Sequence, residues 1–170
     1  MSETQVNTEN IHLEITEKKK PYINKSKSIY WGTPSHIKIN YQGWYDPCPY
    51  PKPLWDGLKT NWLEKGKVFC NPPYNNIIHW AEKCYREWLS AVLSNKDFEC
   101  HLLIPARTDT HYFHDYIKDT AEIEFIRGRL KFIDLKSVCD NATSAPFPSI
   151  ICKYKNTRKD LSIKIKILST

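Results

Sequence analysis

The sequence predicts an α/β domain with a largely parallel sheet. Three observations carry that expectation. Apolar runs of strand length recur at Val68–Cys70, Cys100–Ile104, Glu122–Ile126 and Ser149–Tyr154, several of them closed by proline. A long segment of helical period lies between the first two. A shorter one lies between the second and third. Strand, helix, strand, helix, strand is the order of an α/β fold, and ligands of such sheets sit beyond the carboxyl ends of the strands.

The elements follow in order. Residues 1–28 are polar, charged and aperiodic, which reads as a flexible leader. From Ile29 to Trp62 the prolines and aromatics of WGTP, YDPCPYPKP and LWDGL forbid long regular elements and leave room for one short strand, Gly43–Asp46. Val68–Cys70 is stopped by Pro72. Asn75 or Asn76 is placed to cap the next helix. That helix keeps Ile77, Ile78, Ala81, Cys84, Tyr85, Trp88, Leu89 and Val92 on one face and ends near Ser94. Glu82 and Arg86 stand one turn apart on it. Asp109 is placed to cap a second helix that reaches Lys118, with Phe113, Tyr116 and Ile117 inward. Arg127–Phe132 alternates as a strand would, with Arg127, Arg129 and Lys131 on one face and Leu130 and Phe132 on the other; a turn at Gly128 is the alternative. Leu161–Leu168 alternates like a last amphipathic strand. The domain boundaries expected are a leader at 1–28, one domain at 29–154 and a basic tail at 155–170.

Composition narrows the function. At 170 residues the chain is one domain by size and long enough to bury a core. No apolar run approaches a membrane span and no signal-peptide core opens the chain, so a soluble intracellular protein is expected. The six cysteines never form CxxC, and several sit in apolar segments as small hydrophobes. Neither a disulfide framework nor a metal site is expected. The net charge of +6 is uneven. Residues 31–152 hold 14 Lys/Arg and 14 Asp/Glu, whereas 153–170 hold six against one. A basic tail suits a polyanion such as nucleic acid, and equally a solvated tail.

The most informative stretch is Asn71-Pro72-Pro73-Tyr74, at the end of the first long strand. Proline fixes φ and lacks an N–H, and the residue before it is driven out of the helical region. Two in series make a stiff elbow that leaves carbonyl oxygens outside the sheet ladder. Asn71 adds an amide oxygen and Tyr74 a flat ring. An exocyclic amino group on a planar base fits such a cluster of acceptors; a plain proline turn is the alternative.

With seven others that stand around it, it makes eight motifs in one order. They are Trp31-Gly-Thr-Pro34, Asp46-Pro-Cys-Pro49, Trp55-Asp-Gly-Leu58, Cys70-Asn-Pro-Pro-Tyr74, Leu103-Ile-Pro-Ala-Arg-Thr-Asp-Thr110 with Phe113-His114-Asp115 after it, Phe125-Ile-Arg-Gly-Arg-Leu-Lys-Phe132 and Ala145-Pro-Phe-Pro-Ser149. Together they resemble the phage-type (Dam-like) DNA N6-adenine methyltransferases over about residues 30–153. The resemblance implies a Rossmann-like methyltransferase fold that uses S-adenosylmethionine (SAM) and acts on DNA. By that likeness Asn71 and Pro72 accept from the adenine N6 amino group, Pro73 stiffens the turn, and Tyr74 stacks on a base taken out of the duplex. Trp31, Thr33, Pro34, Asp46, Pro47 and Asp56 would meet SAM, with Asp46 and Asp56 also readable as turn caps. Arg107, Arg127, Arg129, Lys131 and Phe147 would meet DNA, with a solvated face, an internal ion pair and core filling as the respective alternatives. No metal is needed.

The chain departs from the general methyltransferase plan. It has no Gly-x-Gly, and only 24 residues separate Asp46 from Asn71, where two further strand–helix units of about 30 residues each would be usual. The cofactor half must be abbreviated. That is compatible with weak turnover, with a homodimer that completes the site, or with a DNA-binding module that has lost catalysis. The same pocket logic also admits RNA adenine, cytosine N4 or a protein glutamine.

Overall fold

The computed structural model describes residues 31–135 and 142–156. The leader, the Leu161–Leu168 segment and the basic residues beyond Asn156 lie outside the described residues. The element order is β1 (Trp31–Gly32), α1 (Ser35–Lys38), β2 (Lys67–Cys70), α2 (Ile77–Leu93), β3 (Phe98–Pro105), α3 (His111–Tyr116), β4 (Glu122–Phe125), β5 (Lys131–Asp134), β6 (Ala142–Ser144) and β7 (Ser149–Asn156), with short 3-10 turns before β2 and α2.

Four strands form the central sheet in the order β2-β3-β7-β4. The expectation of a mostly parallel sheet is corrected here. β2 and β3 pair in parallel, but β7 is antiparallel to both β3 and β4. The fold is therefore mixed α/β with most pairings antiparallel. The cause is a single strand. β2, β3 and β4 all point the same way, and β7 returns from the far end of β4 and slots between β3 and β4. Before it does so the chain builds a second, small sheet, β1-β5-β6, entirely antiparallel.

β3 shows how the layers arise. Alternate side chains of a strand leave opposite faces. Phe98, Cys100, Leu102 and Ile104 meet Trp80, Ala81, Cys84 and Ala91 of α2 in the main core, together with the wholly buried Trp62. Leu103 faces the other way, into a second cluster with Ile37, Phe69, Leu130, Phe132, Ala145 and Ile151. α1 and the small sheet cover that face. Four cysteines (Cys70, Cys84, Cys100, Cys152) are free and buried, as small hydrophobes would be.

Several local expectations change. The strand Gly43–Asp46 shrinks to one bridge: the Tyr45 N–H donates to the Lys67 carbonyl at 3.0 Å and the Tyr45 carbonyl accepts from Phe69 N–H at 3.0 Å. Pro47 ends the pairing because it has no donor. α2 starts from a 3-10 turn, Tyr74–Asn76, and the Asn76 side chain makes no cap bond. Thr110, not Asp109, stands at the start of α3, and its hydroxyl donates to the Arg107 carbonyl at 2.8 Å. The Arg127–Phe132 strand begins only at Lys131, because Gly128 takes φ +83° in a bend; that backbone conformation is the one glycine adopts without steric cost.

Candidate active site

β2 ends on Cys70, and the next residue is held from a distance. The Asn71 side-chain amide nitrogen donates to the Trp31 carbonyl at 3.2 Å and to Thr33 Oγ1 at 3.1 Å. A backbone carbonyl only accepts, so the amide NH2 must face it and the amide oxygen must face the other way. Tyr74 Oη donates to that oxygen at 3.4 Å, a long contact that leaves its acceptor capacity largely available. The Asn71 backbone carbonyl accepts from Cys48 Sγ at 3.2 Å. Asn71 is thereby gripped by β1 on one side and by the 46–48 loop on the other, while Pro72 is buried beneath it.

Tyr74 stands edge-on to two rings, Phe132 at 6.0 Å and Phe147 at 5.6 Å between centroids. Edge-to-face contacts of this kind are favourable and fix ring orientation. Burial pushes the Tyr74 phenol well above its ordinary pKa, so it stays protonated and acts as a donor and a flat wall. The Arg107 guanidinium lies 6.0 Å from the Phe147 centroid, a cation–π distance, and among the described residues no ion pair joins it to Asp109. Trp31, Thr33, Asn71, Tyr74, Phe147 and Arg107 therefore converge on one place.

The other candidate residues are distributed around it. Pro34 is buried at the start of α1, and its carbonyl accepts from Ile37 and Lys38 N–H groups. Asp46 Oδ1 accepts from Cys48 N–H at 2.9 Å and Asp56 Oδ1 from Leu58 N–H at 3.0 Å. Both aspartates thus tie turns with one oxygen, as the turn-cap alternative expects, and both are exposed. Pro47 is fully buried. Arg127, Arg129 and Lys131 are exposed, but the bend at Gly128 means they do not share one strand face. Two surface clefts lie elsewhere: one beside Tyr45, Trp55, Thr60 and Glu64, the other between α1 and β4.

Two supporting residues escaped sequence reasoning. Cys48 carries the thiol that meets the Asn71 carbonyl, and its signal was its place inside Asp46-Pro-Cys-Pro49. Phe132 supplies the second ring beside Tyr74; its alternation marked it as buried but not as part of a site.

Beneath α1 the sheet carries a polar chain centred on the buried His101. His101 Nδ1 lies 3.0 Å from Tyr41 Oη and its Nε2 lies 3.0 Å from Glu99 Oε1. Lys67 Nζ stands 3.8 Å from the other Glu99 oxygen. Burial lowers the His101 pKa from 6.5 to about 4, against the upward pull of Glu99 and with help from Lys153 and Lys155. The neutral ring therefore donates from Nε2 to Glu99 and accepts from Tyr41. A depressed histidine pKa means that the unfolded chain binds the proton first. The stability this group contributes is complete above pH 6.5 and is lost as pH falls towards about 4, by as much as about 3 kcal/mol. Denaturant unfolding across that range should show the loss, and His101→Gln should flatten it. An equal slope in the variant would assign the acid sensitivity to other groups.

The fold and the site define a mixed α/β protein with acceptors and aromatic rings gathered at the end of a β-strand. Over residues 50–169 the chain matches the family described as DNA N-6-adenine-methyltransferase (Dam). It belongs to that family. The match takes in the basic tail and stops short of β1, whereas the motifs behind the resemblance run from about 30 to 153. No curated protein and no solved structure matches the chain. Membership makes methylation of adenine N6 in DNA the activity class. Among the described residues no group of three or more His, Cys, Asp or Glu is placed to hold a metal ion, and no helix is long and apolar enough to cross a membrane.

Proposed function

We propose that this chain transfers a methyl group from SAM to the N6 amino group of adenine in DNA, with Asn71-Pro72-Pro73-Tyr74 holding a base taken out of the stack. One observation carries the reading: the Asn71 amide is fixed by the Trp31 carbonyl and Thr33 Oγ1, so its oxygen is presented in one orientation beside the Tyr74 ring. Asn71 Oδ1 and the Pro72 carbonyl accept the two N6 hydrogens, which draws the amino nitrogen towards a lone pair available for attack. Tyr74 covers the face of the base, held by Phe132 and Phe147. Arg107, Arg129 and Lys131 supply positive charge for phosphates, and Arg127 contacts DNA beside them. The catalytic contribution of the protein is alignment and preorganised dipoles.

The donor set fits a sulfonium cofactor. Asp46 and Asp56 each expose a carboxylate with one oxygen used in a turn, which leaves acceptors for an ammonium group and for ribose hydroxyls. Thr33 and Pro34 line the approach to Asn71. When bound, SAM supplies an electrophilic methyl that needs no metal. We read the fold as a Rossmann-like methyltransferase with a reduced cofactor side, the one bridge at Tyr45 standing where a longer strand would be usual.

That reduction favours a second reading, a weakly active or inactive module that binds DNA or completes its cofactor side in a homodimer. Mass spectrometry of nucleosides from DNA incubated with protein and SAM decides between them. N6-methyladenosine is the expected product; methylated cytosine, or methylation of RNA alone, would redirect the activity. Absence of any product together with no heat on titration with SAM would leave the binding module.

The tail is expected to contribute to DNA binding. Lys153 and Lys155 sit within β7, so the informative truncation falls after Asn156, which removes Arg158, Lys159, Lys164 and Lys166. Affinity should fall and the plot of log K against log salt should become shallower, because each phosphate contact releases counterion. An unchanged slope would reject an electrostatic arm.

A further inference from the structure

We infer that the cleft between α1 and β4 reads a purine base that flanks the target adenine in the same strand. The inference rests on the proposed function and adds a specificity site to it. The cleft has a volume of about 280 Å³ and is lined by His36, Asn40, Tyr41, Glu124, Phe125 and Arg127 among others. That lies just under the roughly 300–1,000 Å³ of sites that enclose a drug-sized ligand, so it suits one base better than a whole nucleoside cofactor.

Position ties it to the pocket. Thr33 Oγ1 holds Asn71, the chain then turns at Pro34, and α1 begins at once with Ser35 and His36. From the other side, Ser149 follows the Phe147 turn beside Tyr74, and its carbonyl accepts from Ile126 N–H at 3.2 Å. One chain segment that frames the site therefore continues directly into the α1 wall of the cleft, and the other is hydrogen-bonded to the end of its β4 wall. A base next to the flipped one has a short path to it.

The lining has the chemistry of base recognition. Phe125 is 72% exposed although apolar, and an exposed ring beside polar groups offers a stacking surface. Asn40 spends its amide nitrogen only on a 3.4 Å contact to the His36 carbonyl, which leaves the side chain able to pair with an adenine edge. Arg127 is exposed and offers the fork that matches a guanine edge. Asparagine and arginine pair bidentately with purines. Glu124 is held by Lys153 Nζ at 2.6 Å, so its charge is offset where a phosphate would pass. The opposite wall is rigid: Tyr41 stacks on Phe69 at 3.9 Å and its hydroxyl is engaged by His101.

The test measures methylation of short DNA duplexes and single strands in which each base flanking the target adenine is varied in turn. Wild-type protein should prefer a purine at one flanking position. Asn40→Ala and Phe125→Ala are both exposed and so expected to fold. Asn40→Ala should reduce that preference by about tenfold, the scale of one good base-edge contact. Phe125→Ala should weaken binding of the flanking base whichever base it is, by about tenfold, because stacking tolerates every base. A parallel set carries 2-aminopurine at the same position, and its fluorescence should be quenched on wild-type binding and less so with Phe125→Ala. Wild-type methylation without flanking preference, or variants with the wild-type profile and quench, would overturn the cleft while leaving the activity in place. No adenine methylation in any duplex or strand would overturn both.

Discussion

Asn71→Ala is expected to lower adenine methylation by at least about a hundredfold, the scale of removing one preorganised polar group from a reacting centre. The chain should remain folded. It should nevertheless lose about 1–2 kcal/mol of stability, since two partly buried hydrogen bonds, to the Trp31 carbonyl and to Thr33 Oγ1, vanish. Thr33→Val separates the two roles. It removes one anchor of the amide and leaves the acceptor oxygen in place, so it should share much of the stability loss and show a smaller loss of turnover. Steady-state methylation and thermal denaturation of the three proteins check this. Wild-type turnover by Asn71→Ala would reject the acceptor role. A Thr33→Val defect as deep as that of Asn71→Ala would mean that the anchor, not the oxygen, governs catalysis.

How far this was legible in the sequence depends on the range of each interaction. α2 and the strands β2 and β3 were readable because their signals are local: apolar residues at helical spacing from Ile77 to Val92, and apolar runs closed by Pro72 and Pro105. The direction of β7 was not. A strand buried on both faces is a continuous apolar run whichever way it points, and Ser149–Tyr154 carries no mark of the reversal. Its register against β3, with Leu103 opposite Ile151 and Phe98 opposite Asn156, is set by the long excursion through the small sheet. The Asn71-Pro-Pro-Tyr74 elbow was visible as chemistry, but its orientation depends on Trp31 and Thr33, far off in the chain, and no spacing rule links them. Thr110 displaced Asp109 at the start of α3 because both are good caps and only the backbone path chooses. Gly128 announced a turn that the alternation around it concealed.

Gly57→Ala should be the most damaging of the glycine-to-alanine changes. A Cβ built there would land on the Pro47 carbonyl oxygen and 2.7 Å from the Pro47 carbonyl carbon. Those are backbone atoms of a fully buried proline, so no side chain can swing aside. The requirement is space alone, because Gly57 does not hold a left-handed φ. Its own carbonyl is also committed, accepting from Trp62 Nε1 at 2.8 Å and from Thr60 Oγ1 at 2.9 Å. Trp62 is wholly buried and stacks with Trp80 at 6.2 Å, so retreat of Gly57 would disturb the core. Retreat of Pro47 would instead drag Cys48 from the Asn71 carbonyl. Either path costs about 3 kcal/mol or more, the upper range of overpacking, and either reaches the proposed active site. Thermal denaturation should show a large loss for Gly57→Ala and a small one for Asp56→Ala, which removes an exposed turn bond to Leu58 and an exposed ion pair with Lys59. If methylation is then measured where Gly57→Ala is still folded, a residual defect points to the Cys48–Asn71 contact, and full activity points to the Trp62 side. A wild-type melting temperature for Gly57→Ala would show that the 46–48 and 55–58 segments do not pack against each other, and the support assigned to Asn71 from that side would fall with it.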